Sequence, residues 1–464
     1  MIKKTILRIT VLTSLSWLLT ESFAQNSTTS ENSNRSDSSL INEIFQRVQV
    51  LERLREVDNE LTEKKVSETP VVTAGKDGYI FRAPDTSYQL RIRYEGHFDG
   101  RAFLNSDTFT TQRQAAFVVR RARPIIEARL PGPFLFRIMT EFGNGKIEVP
   151  DAYVESGFNS LIGFRIGKFK SPFSLDVLQS TAAVPFLELS LASQLAPNRD
   201  IGLQFQGDIA NGLLSYAIGG FNGVADGASL DGDWNRSKDI AGRLFLQPFH
   251  KIGFLKNLGA GGAFTFGNHS DKRDSKKWSA STVPVSVNGL KSAGQESFFK
   301  YRDTTYASGD QSRHSIQGYY FIGPFGLTGE YISSTLTVRY RNTIKDLTNT
   351  SWYASVNYAI TGEPNSWKSI KPFRNFDLRA HTWGALEAAL RVGAITIDKN
   401  AFPVFADSTK QAREAFEFTG GLNWHINRNV KMLLDYSQTE FTGGALNGDV
   451  PGEQLIAGRV QFVF

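Results

Sequence analysis

The side chains with the most chemical potential in this sequence are cations spaced at every second position. Between Tyr88 and Arg101, the residues Gln89, Arg91, Arg93, Glu95, His97, Asp99 and Arg101 share one parity, and Leu90, Ile92, Tyr94, Gly96 and Phe98 share the other. Side chains alternate faces along a β-strand, so one face is apolar and the other ionisable. An Arg facing lipid at mid-membrane costs about 2–4 kcal/mol, so a membrane strand of this pattern turns its arginines towards water. The same parity rule sends Arg121, Arg123, Arg129, Arg137, Arg165, Arg243, Arg391 and Arg459 to the watered face. Arg120 has the wrong parity, which predicts a strand end, a bulge or a subunit contact. Rings and ladders of Arg or Lys replace part of the hydration an anion loses, and guanidinium forks match phosphate oxygens. Glu95, Glu127, Glu141, Asp151 and Glu155 share the watered face, which leaves open a constriction where acids and bases oppose each other without strong anion preference.

Other chemistries find little support. Cys is absent from all 464 residues, which removes disulfides, thiolate-ligated metals and thiol catalysis. His97, His250, His269, His314, His381 and His425 are scattered with no metal-ligand spacing, and no Gly-x-Ser-x-Gly elbow occurs. Leu258-Gly259-Ala260-Gly261-Gly262-Ala263 resembles a nucleotide-binding glycine loop only superficially, because no helical pattern follows. A net charge of +6 is too mild for a nucleic-acid protein. No cofactor, metal or catalytic residue is therefore expected.

The elements that position the cations follow from composition and periodicity. Phe (35 residues) and Gly (41) are abundant, Met is rare (3), and mean hydropathy is −0.26, which fits an all-β chain better than a helical membrane protein. Lys3, Lys4 and Arg8, an apolar run from Ile9 to Leu19, and Ser22-Phe23-Ala24 predict a cleaved export signal over 1–24. Residues 25–39 are polar and predict a disordered linker. Over 40–69, Ile41, Ile44, Val48, Leu51, Leu54, Val57 and Leu61 form one helical stripe that cannot bury itself alone. A coiled coil that joins subunits is expected, with packing on the barrel or plugging of it as the alternative.

From Tyr88 to Phe464 the alternation recurs in about sixteen segments, and the last strand ends in Phe462 and Phe464. Connections are tight at 131–133, 159–160, 210–211, 323–324 and 427–428, and long at 102–114, 170–199, 222–238, 268–312 and 442–452. Short turns at one end and long loops at the other describe an outer-membrane barrel. Residues 361–382 break this rule, being long where a short turn is due. The stretch between Lys170 and Arg199 carries Pro172 and Pro185, which stop strand continuation, and Phe173, Leu175, Phe186, Leu187 and Leu189, which anchor it. It is expected to fold into the lumen or to cover a neighbouring subunit.

Several motifs resemble, in order, those of the phosphate-selective porin O and P family. They are Phe117-Val118-Val119-Arg120-Arg121-Ala122-Arg123, Asp151-Ala152-Tyr153-Val154, Gly167-Lys168-Phe169-Lys170-Ser171-Pro172-Phe173 and Asn198-Arg199-Asp200-Ile201-Gly202. Residues 323–331 and 361–363 match too, so the resemblance runs from about residue 75 to the C-terminus. It implies an all-β, sixteen-stranded transmembrane antiparallel barrel (75–464), assembled as a homotrimer among outer-membrane lipid and lipopolysaccharide. It also implies that small anions such as phosphate diffuse passively through a narrow cationic site. Carried over by motif, Arg120 and Arg121 lie near the constriction with Asp151, and Lys168 and Lys170 enter its loop. Arg91, Arg93, Arg123, Arg137, Arg165, Arg199, Arg243 and Arg391 complete the candidate lining. The sequence departs from the family at Leu189, where related chains often carry Arg after the glutamate. A general or weakly selective porin, and a plugged structural barrel, are the other readings.

Overall fold

The computed structural model describes residues 34–75, 77–105, 115–232, 237–270 and 287–464. The expected export signal, most of the expected linker and parts of three long loops lie outside these residues. The chain forms two units, 1–69 and 70–464. In the first, helix α1 (Asn34–Glu68) begins inside the stretch read as linker. Arg47 pairs with Glu43 at 2.7 Å and Arg53 with Glu56 at 2.9 Å, at the helical spacings that favour such pairs. Among the described residues of this unit nothing covers the stripe, and Leu51 and Leu61 remain exposed.

The second unit is a closed sixteen-stranded antiparallel barrel. Its strands are β1 (Gln89–Phe103), β2 (Ala116–Arg129), β3 (Phe134–Glu141), β4 (Glu148–Gly157), β5 (Gly163–Lys170), β6 (Arg199–Ile209), β7 (Leu214–Phe221) and β8 (Asp239–Leu246). They continue as β9 (Leu258–Asn268), β10 (Tyr306–Ile322), β11 (Phe325–Tyr340), β12 (Thr343–Ala359), β13 (Ala385–Thr396), β14 (Ala412–His425), β15 (Val430–Ala445) and β16 (Glu453–Val463). Closure runs from Leu455 opposite Phe103 to Val463 opposite Glu95, so no sheet edge meets lipid along this seam. A short hairpin, Val71–Gly75 with Gly78–Arg82, pairs with the start of β1 below that seam.

The long connection expected to break the turn rule does so, joining β12 to β13 across residues 360–384. Two features of the loop end were not foreseen: a two-residue link at Arg341-Asn342 and a compact segment over 397–411. Strands β11 and β12 are 16 and 17 residues long, beyond the 9–11 needed to cross a bilayer, so their hairpin supplies height that a long loop supplies elsewhere.

The apolar core sits inside the barrel, on one side. Phe173, Leu191 and Leu195 from the β5–β6 loop, with Leu290, Phe298, Phe299 and Phe405 from later loops, pack on inward Ile332, Val338, Leu347, Ile395 and Phe441. The loop could not be buried with its backbone unpaired. Wall side chains satisfy it: Gln317 donates to the Phe173 carbonyl at 2.8 Å, Asn423 to Pro185 at 2.9 Å and Lys431 to Val184 at 2.9 Å. The Asp435 carboxylate accepts from the Leu187 N–H at 2.7 Å, and Arg459 donates to the Leu187 carbonyl at 2.6 Å. Glu330 receives the start of the short helix α2 (Leu175–Leu178), accepting from the Ser174 hydroxyl at 2.8 Å and the Leu175 N–H at 3.0 Å.

Candidate functional site

Strand β2 carries the first part of the site. Opposite it on β1, His97 faces Arg121 and Phe98 faces Val119, so Arg120 is one extra residue in the ladder. A bulge of this kind re-aims a side chain, and here it turns Arg120 inward while Val119 keeps its outward place. The backbone above is satisfied from β3: Glu141 accepts from the N–H of Ala122 and of Gly143, each at 2.9 Å. Arg120, Arg121 and Arg123 thereby border one cavity of about 630 Å³. The bulge was among the three expectations for Arg120.

Strand β5 supplies the second part. Gly167 has φ 125°, and a Cβ there would lie 2.3 Å from the Ala152 carbonyl oxygen, so only glycine fits. At this kink regular alternation ends. Arg165, before it, pairs with Glu155 at 2.6 Å, and Lys170, beyond it, donates to the Gln179 carbonyl of the in-folded loop at 2.8 Å. Lys168 borders the same cavity with its ammonium held by Asp231. From β6, Arg199 pairs with Asp151 at 2.9 Å.

Around the cavity stand nine cationic residues against four carboxylates. Most of the guanidinium groups are engaged. Arg123 pairs with Glu141 at 2.5 Å, and Arg120 grips Glu188 with two bonds of 2.7 and 2.8 Å. Arg101 also reaches Glu188, at 2.7 Å. Burial raises the Glu188 pKa, and Arg120, Arg459 and Arg101 more than offset this, so its carboxyl lies well below the ordinary carboxylate range. Arg121 differs from its neighbours. Among the described residues it has no hydrogen-bond or carboxylate partner, and its buried Nε is unsatisfied.

Below this cavity the candidate residues continue as a ladder. Glu127 bridges Arg93 at 2.6 Å, Arg137 at 3.1 Å and Arg91 at 3.8 Å, and Arg137 reaches Asp151 at 3.4 Å. A second cavity, of about 380 Å³, is bordered by Glu155, Arg165, Gln204 and Arg243. Lys170 borders both cavities and so marks their junction. Arg243 stands apart from the main cluster, 2.9 Å from Gln317 and over the Phe245 ring at 4.6 Å. Arg391 is also separate: it donates to the Glu188 carbonyl at 2.9 Å and pairs with Glu417 at 2.9 Å, holding the loop from the packed side.

Several residues of this site were missing from the sequence-based set, Arg101, Lys146, Glu148, Glu188, Lys291 and Glu417 among them. Arg101 has the right parity on β1 and was legible by the same rule as Arg93. Glu188 lies in a loop, where no periodicity speaks for it. Leu189 borders the cavity and packs on the apolar cluster.

The model of the family described as phosphate-selective porin O and P matches residues 90–464. Porin O of Pseudomonas aeruginosa is 24% identical over 330 residues, covering 67% of this chain and 72% of that protein. Among solved structures, the outer membrane channel DcaP of Acinetobacter baumannii superposes with a TM-score of 0.54 at 10% identity, covering 84% of this chain and 100% of that one. An anion-selective porin from Comamonas acidovorans does so with a TM-score of 0.51 at 12% identity, covering 81% of this chain and 100% of that one. With a closed sixteen-stranded barrel, a loop folded into its lumen and a family match across most of its length, this chain belongs to the phosphate-selective porin O and P family and is a porin of the outer membrane.

Proposed function

We propose that this porin passes small anions, phosphate among them, along the path lined by Arg120, Arg121, Arg123, Lys170 and Arg199. Arg121 carries the reading. A guanidinium held at a cavity, with a buried N–H left unpaired, is a donor waiting for an acceptor that travels. Its neighbours are fixed by Glu141, Glu188 and Asp151, so they set the shape and background potential of the passage while Arg121 and Lys170 meet the solute. No bond is made or broken, and the concentration gradient drives transport. Arg91, Arg93, Arg137 and Arg165 extend the positive path towards the turn end, and the excess of cations over carboxylates favours anions throughout. A family described as phosphate-selective, and an anion-selective porin from Comamonas acidovorans with the same fold, agree with this direction of selectivity.

The test is reversal potential in planar bilayers under a chloride gradient, followed by block of chloride current with phosphate. Anion selectivity with block at low phosphate, weakened in Arg121→Ala, is the expected result. Conductance without block removes phosphate and leaves a general porin. A folded barrel that passes no current is a structural one.

The assembly we propose is a homotrimer, with α1 contributing a coiled coil through its uncovered stripe. Sedimentation of the full chain against a chain lacking residues 25–69 tests the helix: a coiled-coil role requires the truncated form to dissociate at lower detergent or denaturant concentration.

A further inference from the structure

The long connection at the turn end has two limbs with opposite character. Its first limb turns inward. Trp367 stacks on the inward Tyr319 with ring centroids 5.5 Å apart, and its carbonyl accepts from Gln179 of the in-folded loop at 3.0 Å. Ile370 is buried with Ala359 and Ala385, which fixes the base. The second limb, residues 373–383, turns outward and forms a narrow finger, while Lys371 before it still borders an inward cavity with His425, Lys431 and Gln461. Asp377 and Thr382 exchange two backbone bonds of 3.0 Å, and the Asp377 carboxylate accepts from the Arg379 N–H at 2.8 Å. The Phe376 N–H donates to the Ile426 carbonyl at 2.7 Å, tying the finger to the β14–β15 turn.

The finger carries large apolar side chains that nothing among the described residues covers. Phe373 is 68% exposed, Leu378 69% and Trp383 64%. Interleaved with them are Arg374 and Arg379, which have no carboxylate partner among the described residues. The finger is continuous with the lipid-facing wall. Phe376 meets Trp424 edge to face at 5.2 Å, and the Trp424 indole N–H donates to the Trp383 carbonyl at 2.7 Å. Trp424 stands on the outward face of β14, opposite Leu386 on one side and Met432 on the other, two residues from the exposed Leu422. Aromatic side chains at the end of a membrane strand, with free cations beside them, match the boundary between acyl chains and headgroups. In an outer-membrane barrel the short-turn end is periplasmic.

We propose that residues 373–383 dock on the periplasmic leaflet of the outer membrane. Phe373, Leu378 and Trp383 enter the acyl–headgroup boundary, and Arg374 and Arg379 hold the phosphates of anionic phospholipid. The surface is independent of ion selectivity in the lumen. It also accounts for the length of this connection, the greatest at its end of the barrel: the segment closes inward under the loop and outward onto the bilayer.

Two measurements on the full chain test it. Because the chain has no cysteine, Leu378→Cys gives a single thiol for a fluorophore. In vesicles of phosphatidylethanolamine and phosphatidylglycerol, that fluorophore should be quenched by spin-labelled lipid and shielded from aqueous iodide. Native mass spectrometry should find that R374Q/R379Q retains at least about fivefold less phosphatidylglycerol than the unaltered chain, with unchanged conductance. A fluorophore quenched by iodide as readily as one on a loop-end residue overturns the proposal. So does undiminished phosphatidylglycerol in the double variant, or a light-scattering mass showing two assemblies joined through this face. If the double variant does not fold, the Leu378→Cys measurement alone decides.

Discussion

The two sides of this lumen have been built to opposite rules. Around β10 to β15 the interior is filled: phenylalanines and leucines from three loops pack against the wall, and the wall's polar side chains are spent on loop backbone. Around β1 to β6 it stays open, and almost every inward side chain is charged or amide. The first side behaves like the core of a water-soluble domain. The second accepts desolvated charge because each cation but a few has a fixed partner. The difference teaches that the bore of such a barrel is set by how much of it is filled, while its preference is set by what lines the remainder.

The comparison breaks first, if it is wrong, at Arg121. Arg121→Glu should reverse or abolish anion preference and weaken phosphate block by about tenfold or more, read as reversal potential and block constant. Melting of the barrel should hardly change. Leu195→Ala, on the filled side, should do the converse. Leu195 is fully buried, so truncation costs about 2–5 kcal/mol and lowers the temperature of heat-modifiable migration in gels, with reversal potential intact. A shift of selectivity from Leu195→Ala would show that the two sides are not separable.

Glu188 sits where the sides meet and sharpens the contrast. It occupies the forks of Arg120 and Arg101 as a solute oxyanion would. Glu188→Gln should free part of both and tighten phosphate block several-fold, less than the full strength of one charge-assisted pair, because the amide oxygen still accepts from one fork. Its pH dependence has a definite sign. The folded carboxyl lies below its unfolded value, so the stability it contributes is fully present above the unfolded value of about 4.3 and is lost only as pH falls through the folded one. The gap between Glu188→Gln and the unaltered protein should therefore be the same at pH 7 as at pH 5. The smallest effect is expected at Trp367→Ala, which removes a stacked ring from the filled side near the exit. Conductance should rise slightly and selectivity should not move.

Much of the barrel was legible because a membrane strand states its two faces residue by residue. The tight turns at 210–211 and 323–324, the closing strand with Phe462 and Phe464, and the anomalous 360–384 connection all follow from alternation and turn chemistry. Lumenal filling was half legible. Phe173 and Leu187 announced a buried loop, but nothing local in Phe298 or Phe405 says that they join it, since those contacts link segments more than a hundred residues apart. In the site, arginines on regular strand were found by parity. Glu188 was not, because a loop residue has no phase, and Arg391 has the right phase yet serves the loop rather than the open path.

The bulge at Arg120 has a consequence for how such pores change over generations. Loss of its codon would restore regular pairing between β1 and β2 and leave Val119 and Arg121 each on its present face. A charge can thus be added to or withdrawn from the passage by a three-nucleotide insertion or deletion, with no second change needed elsewhere in the strand. Lineages that differ in solute preference are free to move along that step in either direction, at a site where substitution alone would have to work against the alternation of the sheet.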